Sequence, residues 1–449
     1  MGDQEGLKSG ILILWSTFNL TVQSVQVYLF IFLGAVVVAV TENDVAEGEM
    51  TLDHATAIAI RLMLQFARRT GLSPAAQDQH RYLWTDAFAV CNFLELFGRT
   101  NDQQYRHRAT ELIEQVHRVL GRYRCDDMRS GWLSGLNEEA GREHPTVGGL
   151  RIGKSLKERD ASEALDDRLE WDRDGQYFHY LTKWIHALCQ ATFTTGDFEY
   201  GRWAVELGET AFEGFVRRSA SGEVVGVYWK MSTDLSRPLV PSIGLHDALD
   251  GFITFREAQH VFAKSPADDG VTDLSSAIES LSALCQNRDW TTDDPLGLGG
   301  LLFDSRRLCQ LIDEGRPRDV HLLEQVLEAC YNGLTGFLGS RYLNRPISHR
   351  LAFRELGLAI GLKALPIITD AIKKDSGLFG SWTALRRTVE LLLPYERLSE
   401  DIVGVWLPHA QHQDEIWQAH QDINDVMLAT AIIPDTFLSV GEWVSSKSP

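Results

Sequence analysis

The chain has 449 residues, 44% of them hydrophobic, and a formal net charge of −19. That length allows one large domain or two to three smaller ones, with apolar residues enough for a sizeable core. The charge excludes a nucleic-acid binder, which needs a basic face against phosphate, and a surface held to anionic lipid; it suits a neutral or cationic small ligand.

The first fifty residues differ from the rest. Residues 9–41 carry no charge, and residues 27–40 form an apolar run of fourteen. The run is shorter than a membrane span, whereas the whole uncharged segment is long enough. Asp3 and Glu5 stand beside Lys8 ahead of it, so a signal peptide's positive n-region is missing. The single N-glycosylation sequon, Asn19-Leu20-Thr21, lies inside the same segment. Two readings stand: a signal anchor that would tie the protein to a membrane, and a leader appended to a domain that begins near Met50. Either way residues 1–49 fall outside the fold and residues 50–449 form one domain.

From Met50 onward the pattern is helical. Residues 52–69 are amphipathic, 82–97 apolar almost all round, and 103–120 amphipathic again. A long loop, 121–175, is rich in glycine and polar residues, and loops of that length in a compact domain tend to be functional. Helices follow at 176–194 and 200–217, then a turn-rich stretch with a hairpin pattern (GEVVGVYWKM), then helices at 245–263, 274–287, 296–313, 320–338, 350–363, 381–393 and 413–433. Strand signal is confined to loops. Cys91, Cys125, Cys189, Cys285, Cys309 and Cys330 make no CxxC pair and lie mostly in apolar helical contexts. That fits free thiols in a reducing compartment, the cytoplasm, better than zinc or a disulfide framework.

The twelve predicted helices alternate. Even-numbered ones are apolar all round or doubly striped, odd-numbered ones have one apolar and one charged face, so an inner ring wrapped by an outer ring is expected. Two connections repeat: GRTNDQQYRHRA after the second helix and TTGDFEYGRWA after the fourth. This pattern resembles the six-hairpin (α/α)6-toroid superfamily, which includes glycoside hydrolases, unsaturated glucuronyl hydrolases and N-acylglucosamine 2-epimerase-like proteins. The resemblance covers residues 50–435 and is architectural. No single family's catalytic motif matches, so no family active site is carried over. It implies an all-α fold and a carbohydrate-active enzyme whose partner is a small saccharide.

Candidate chemistry centres on residues 166–190. An acidic loop with Asp166, Asp167, Glu170, Asp172 and Asp174 runs into the fourth helix. There His179, Lys183, His186 and Gln190 fall on one face, and Tyr177, Leu181, Trp184 and Leu188 on another. A helix with both stripes reads as an inner helix whose polar face lines a cavity; a solvated polar face is the plainer alternative. The second helix opens with Arg81, Tyr82, Trp84 and Asp86, contacts of the kind that hold sugars, although Asp86 would also serve as a local cap. The loop segment 148–155 carries Arg151 and Lys154 and fits the GxxxxGK[ST] expression, but no core strand precedes it, which argues against a phosphate loop. His246, Asp247 and Asp250 open the sixth helix, Arg354 belongs to the tenth, and His420 to the twelfth.

Three functional schemes follow. A glycoside hydrolase would pair carboxylates, with Glu170, Asp172 or Asp174 across from Asp86 or Asp250. A sugar epimerase would set two histidines, His246 and His420, on opposite sides of one carbon. A non-hydrolytic binding or cyclase-like scaffold would use an aromatic cavity with a single acid. No metal and no cofactor is predicted. The cavity mouth is expected to gather Asp174, Tyr177 and His179 with Trp84, Asp86, His246 and Asp250 at the N-terminal ends of the inner helices.

Overall fold

The structure, a computed structural model, describes residues 53–76, 79–264, 273–286, 288–312, 317–379 and 381–441. The uncharged segment 9–41, with its anchor and leader readings, lies outside the described residues. Among the described residues no helix is long and apolar enough to cross a membrane.

Fourteen helices of ten residues or more occur among the described residues. In chain order they are α1 (His54–Arg69), α2 (Leu83–Thr100), α3 (Gln103–Leu120), α4 (Phe178–Thr195), α5 (Phe198–Phe215), α6 (Asp247–Phe262), α7 (Ser275–Leu284), α8 (Pro295–Leu311), α9 (Pro317–Gly339), α10 (Ala352–Leu362), α11 (Ala364–Lys374), α12 (Thr383–Leu392), α13 (Leu398–His412) and α14 (Gln421–Ile432). Helices α2, α4, α6, α8, α10 and α14 each pack on the next, and α14 closes back on α2. Helices α1, α3, α5, α7, α9 and α13 lie outside them. The chain is therefore an (α/α)6 toroid, with α11 and α12 as an extra hairpin packed on α8 and α9.

The sequence explains which helices go inside. Every residue of α2 from Leu83 to Leu96 is buried, whereas α3 buries one face and exposes its charges. Each large apolar side chain taken out of water contributes roughly 1.5–3 kcal/mol. Where α8 and α10 cross, Gly299 lies under the Gly357 carbonyl, so close that an added Cβ would sit 2.0 Å from the oxygen.

The two repeated connections are one turn used twice. Asn101 (φ 55) and Gly196 (φ 75) end α2 and α4 in the left-handed region. Asp102 and Asp197 then cap α3 and α5 by accepting from Gln104 N and Glu199 N, and their own N–H groups donate to Thr100 and Thr195. Two helices went unrecognised in the sequence. α11 follows α10 at Lys363 without a polar break, and α13 carries Gly404 and an internal Pro408, which blur its pattern.

The strands are short. β1 (Gln176–Tyr177) pairs antiparallel with β4 (Lys230–Met231), and β2 (Val216–Arg218) pairs with β3 (Val224–Val227). The first pairing brings Trp229 over the start of α4, where its carbonyl accepts from Phe178 N.

Inside the ring, polar side chains of α4, α6 and α8 meet. The fully buried Arg307 guanidinium binds Asp250 (2.8 Å), Glu257 (3.0 Å) and Asp304 (2.7 Å), and donates to Thr254. From α4, Lys183 reaches Asp250 (2.7 Å) and His186 reaches Glu257 (2.8 Å). The polar stripe of α4 thus fills the lumen below its first turn rather than facing water. Removing one partner of a buried ion network leaves the others uncompensated, at about 3–5 kcal/mol. Arg307→Met is expected to lower unfolding free energy by about that much, read by denaturant or thermal unfolding.

Candidate active site

A cavity of about 1630 Å³ opens at the N-terminal ends of the inner helices. Five of the six contribute their first turns to its wall; α6 stays behind α4. The cavity ends where the lumen network begins. His179 lines it, while Lys183, one turn further along α4, does not.

Aromatic rings form one side. Tyr177 stacks on Trp229 (5.1 Å between centroids, 17° between planes) and on His179 (5.4 Å, 17°), and Trp171 extends the row from Trp229 at 5.4 Å. Trp84 lies 5.9 Å from the His179 ring. Behind them the Tyr82 and Tyr180 hydroxyls share a hydrogen bond of 2.6 Å. Such a row of flat apolar faces with polar edges suits the alternating apolar and hydroxylated surfaces of a sugar ring.

His179 has a partner that the lining alone does not reveal. Its Nδ1 lies 3.8 Å from Oδ1 of Asp247, the first residue of α6. Asp247 is buried, and its other oxygen, Oδ2, has no hydrogen-bond partner. Burial, reinforced by the charge of Asp250, pushes the Asp247 carboxyl up to about 8, overriding the favourable end of the helix dipole. Burial, with the positive charge of Lys183 adding to it, brings His179 down to about 4. Both members of the pair therefore favour their neutral forms.

The sequence-predicted residues divide into two groups. Arg81, Trp84, Asp86, Arg151, Tyr177, His179, Arg354 and His420 line the cavity. Asp86 is nevertheless held locally: it accepts from Tyr82 N (2.9 Å), with Arg81 at 3.4 Å, and burial raises its carboxyl to about 6. Arg354 pairs with Asp294 at 3.1 Å, and the exposed His420 ring packs against Phe353 at 5.6 Å.

The second group lies off the cavity. Asp174 is fully buried in an ion pair with Arg151 (2.5 Å) and accepts from the backbone N–H groups of Gly153 (3.0 Å) and Lys154 (3.3 Å). Gly153 adopts φ +93 there, so the loop that matched a phosphate-binding expression cradles the chain's own carboxylate. Asp250 and Lys183 belong to the lumen network. Glu170 is buried against Lys230 (2.8 Å) and Arg159 (3.3 Å), and Asp172 is exposed outside the cavity. His246 Nε2 meets the Trp290 carbonyl oxygen at 3.1 Å, and buried Trp184 donates to His117 at 3.0 Å.

The local charge also departs from the sequence expectation. Among the described residues, arginine and lysine outnumber aspartate in the cavity lining by eight to three, and no glutamate lines it. A net charge of −19 describes the whole surface and not this concavity. Sequence reasoning passed over Tyr180, Trp171 and Trp229; Tyr180 is the neighbour in sequence of a residue it chose, whereas Trp229 arrives only through the β1–β4 pairing. Among the described residues no group of three or more His, Cys, Asp or Glu is placed to hold a metal ion. Cys125 is exposed and lines the cavity, unlike the other five cysteines, which are buried.

No protein-family model and no curated protein matches this chain. Among solved structures it is similar to a GH76 alpha-mannanase from Bacteroides thetaiotaomicron, with TM-score 0.44 and 8% identity over 86% of this chain and 97% of that one. It is also similar to a sugar epimerase from a ruminal bacterium, with TM-score 0.37 and 10% identity over 69% of this chain and 75% of that one. Likenesses this distant say nothing of substrate or mechanism.

Two stability predictions follow from these environments. Asp174→Asn strips Arg151 of its charge partner and should lower the melting temperature by several degrees. Asp247 behaves differently: a carboxyl raised from 3.8 to about 8 favours the folded state below pH 3.8, and that contribution is lost as pH rises through about 8. Asp247→Asn is neutral at every pH. Its stability relative to the unsubstituted protein should therefore improve steadily between pH 4 and pH 8, as followed by thermal melts across that range.

Proposed function

We propose that this chain is a carbohydrate-active enzyme that takes a small saccharide into the cavity and acts on it by proton transfer through His179. The observation that carries this reading is the His179–Asp247 pair, set at the end of the aromatic row, with its imidazole in the cavity and its carboxyl buried. A sugar ring lying along the edges of this row, within which Tyr177 itself is buried, would reach that imidazole.

In their neutral forms the two groups make a relay. The Asp247 O–H donates to Nδ1, leaving Nε2–H toward the substrate. As Nε2 gives its proton to a substrate oxygen, Asp247 passes its own to Nδ1, and the reverse step regenerates the pair. The relay requires the 3.8 Å gap to close to hydrogen-bond length on binding, a tightening common to unliganded catalytic contacts. His420, on the α14 side of the cavity, supplies a second imidazole. Acid and base on two sides of one carbon suit epimerisation or isomerisation of a free sugar.

Glycoside hydrolysis is the second reading. It is favoured by Asp86, raised to about 6 by burial and in part by the charge of Asp422, which also lines the cavity. A protonated and an ionised carboxyl together are what glycosidic cleavage uses.

Incubating the protein with mono- and disaccharides in deuterium oxide separates the two. Deuterium at a ring carbon with appearance of an epimer supports the first reading, and new reducing ends without deuterium support the second. Neither product with any saccharide would reject both. On the substrate so found, His179→Ala is expected to lower kcat/KM by roughly 10²–10⁴-fold with little change in melting temperature. The rate should also fall above about pH 8, where Asp247 loses its proton.

A further inference from the structure

One wall of the cavity holds more positive charge than the described residues neutralise. It is built from the last turn of α3, with Arg118, and from the loop segments carrying Arg122, Arg124, Arg151 and Lys154. The segments are locked together, since Arg151 N donates to the Leu120 carbonyl and Arg124 donates to the Lys154 carbonyl. Three of the arginines have carboxylates: Arg151 has Asp174 at 2.5 Å, Arg124 has Asp126 at 2.7 Å, and Arg122 has Glu138 at 2.5 Å. Lys154 has none among the described residues. Its ammonium sits 5.4 Å from the centroid of the Tyr82 ring and is half-buried. Arg118 donates to Gln79 at 2.9 Å and likewise has no carboxylate among the described residues.

Other buried cations of this fold have partners. Lys183, Lys230 and Arg307 are each met by a carboxylate within 3 Å. A cation drawn from water without an anion is costly, so a half-buried lysine beside arginines, facing an aromatic ring and no carboxylate among the described residues, leaves this wall's charge unbalanced. Unused donors accompany it on the same wall: Arg122 Nε is buried without a hydrogen-bond partner, as is Arg81 Nε beside Tyr82. Tyr82 also joins this corner to the aromatic side through its bond to Tyr180.

We infer that the cavity recognises an anionic saccharide, with a carboxylate or phosphate group seated between Lys154 and Arg118 while the sugar ring lies on the aromatic row. This rests on the saccharide reading above and deepens it. The shared chemistry is an oxyanion that takes charge-assisted hydrogen bonds from an ammonium and a guanidinium.

The test is equilibrium binding by calorimetry to the full chain and to Lys154→Gln. The probes are glucose, mannose and galactose, their uronates, their 6-phosphates, and inorganic phosphate alone. The charged sugars should bind at least about tenfold more tightly than the neutral ones, and Lys154→Gln should remove about that factor while leaving neutral sugars unchanged. The uronate and phosphate arms identify which oxyanion fits. Equal binding of charged and neutral sugars, or a preference untouched by Lys154→Gln and by Arg118→Gln, overturns the inference and leaves the saccharide reading standing. Binding of inorganic phosphate with no sugar bound supports the anion seat and overturns the saccharide reading. No binding of any probe overturns both. Lys154 makes no ion pair among the described residues, so the variant's melting temperature should match the parent's, and Arg118→Gln serves as the second variant if it does not.

Discussion

Arg307 is the side chain on which the ring depends. A six-helix ring has a lumen that apolar residues alone would fill, yet here three carboxylates from α6 and α8 point into it, and one guanidinium answers them all. Lys183 and His186 tie α4 into the same network from the other side. Such a cluster gains little over a well-packed hydrocarbon plug, because desolvation offsets most of the Coulombic attraction. What it supplies is register: the donors and acceptors meet only if the three helices stand at one height and one rotation. That fixes the first turns of α4 and α6, and with them the contact between His179 and Asp247.

The same network decides where chemistry can happen. It blocks the lumen one turn below the mouth, and the large cavity among the described residues lies at the shallow end where the inner helices begin. Opposite environments are then built within a few ångströms. Lys183, paired with Asp250, adds to the burial that keeps His179 neutral, while burial and the charge of Asp250 keep Asp247 protonated. The pair is thus tuned by side chains that do not line the cavity.

Much of the architecture was legible in the sequence because the inner helices are apolar almost all round and the outer ones are not. The predicted span 103–120 coincides with α3, fixed by its Asp102 cap, and the double stripe of α4 correctly placed that helix inside. The site was less legible. Asp174 and Asp250 read like catalytic carboxylates, since type and helix position cannot tell an acid facing a cavity from one enclosed by Arg151 or Arg307. Asp247 was assigned to binding, and its link to His179 depends on the distance between two helices that are not neighbours in the chain. The sign of the cavity's charge could not be read at all. Total charge sums over the whole surface, whereas the basic wall is made by one loop folding against the end of one helix.

The seam where the ring closes runs through this cavity. Arg69 at the end of α1 meets Asp422 in α14, 353 positions away, and Asn92 in α2 bonds the Val426 carbonyl. The hairpin turns after α2 and α4, by contrast, are made from residues two to four apart. Local units of that kind form early and independently, while a contact across most of the chain must wait for everything between. The α14 side of the cavity is therefore the last part of its wall to be assembled, and a growing polypeptide would hold nearly every hairpin before it could close the cavity.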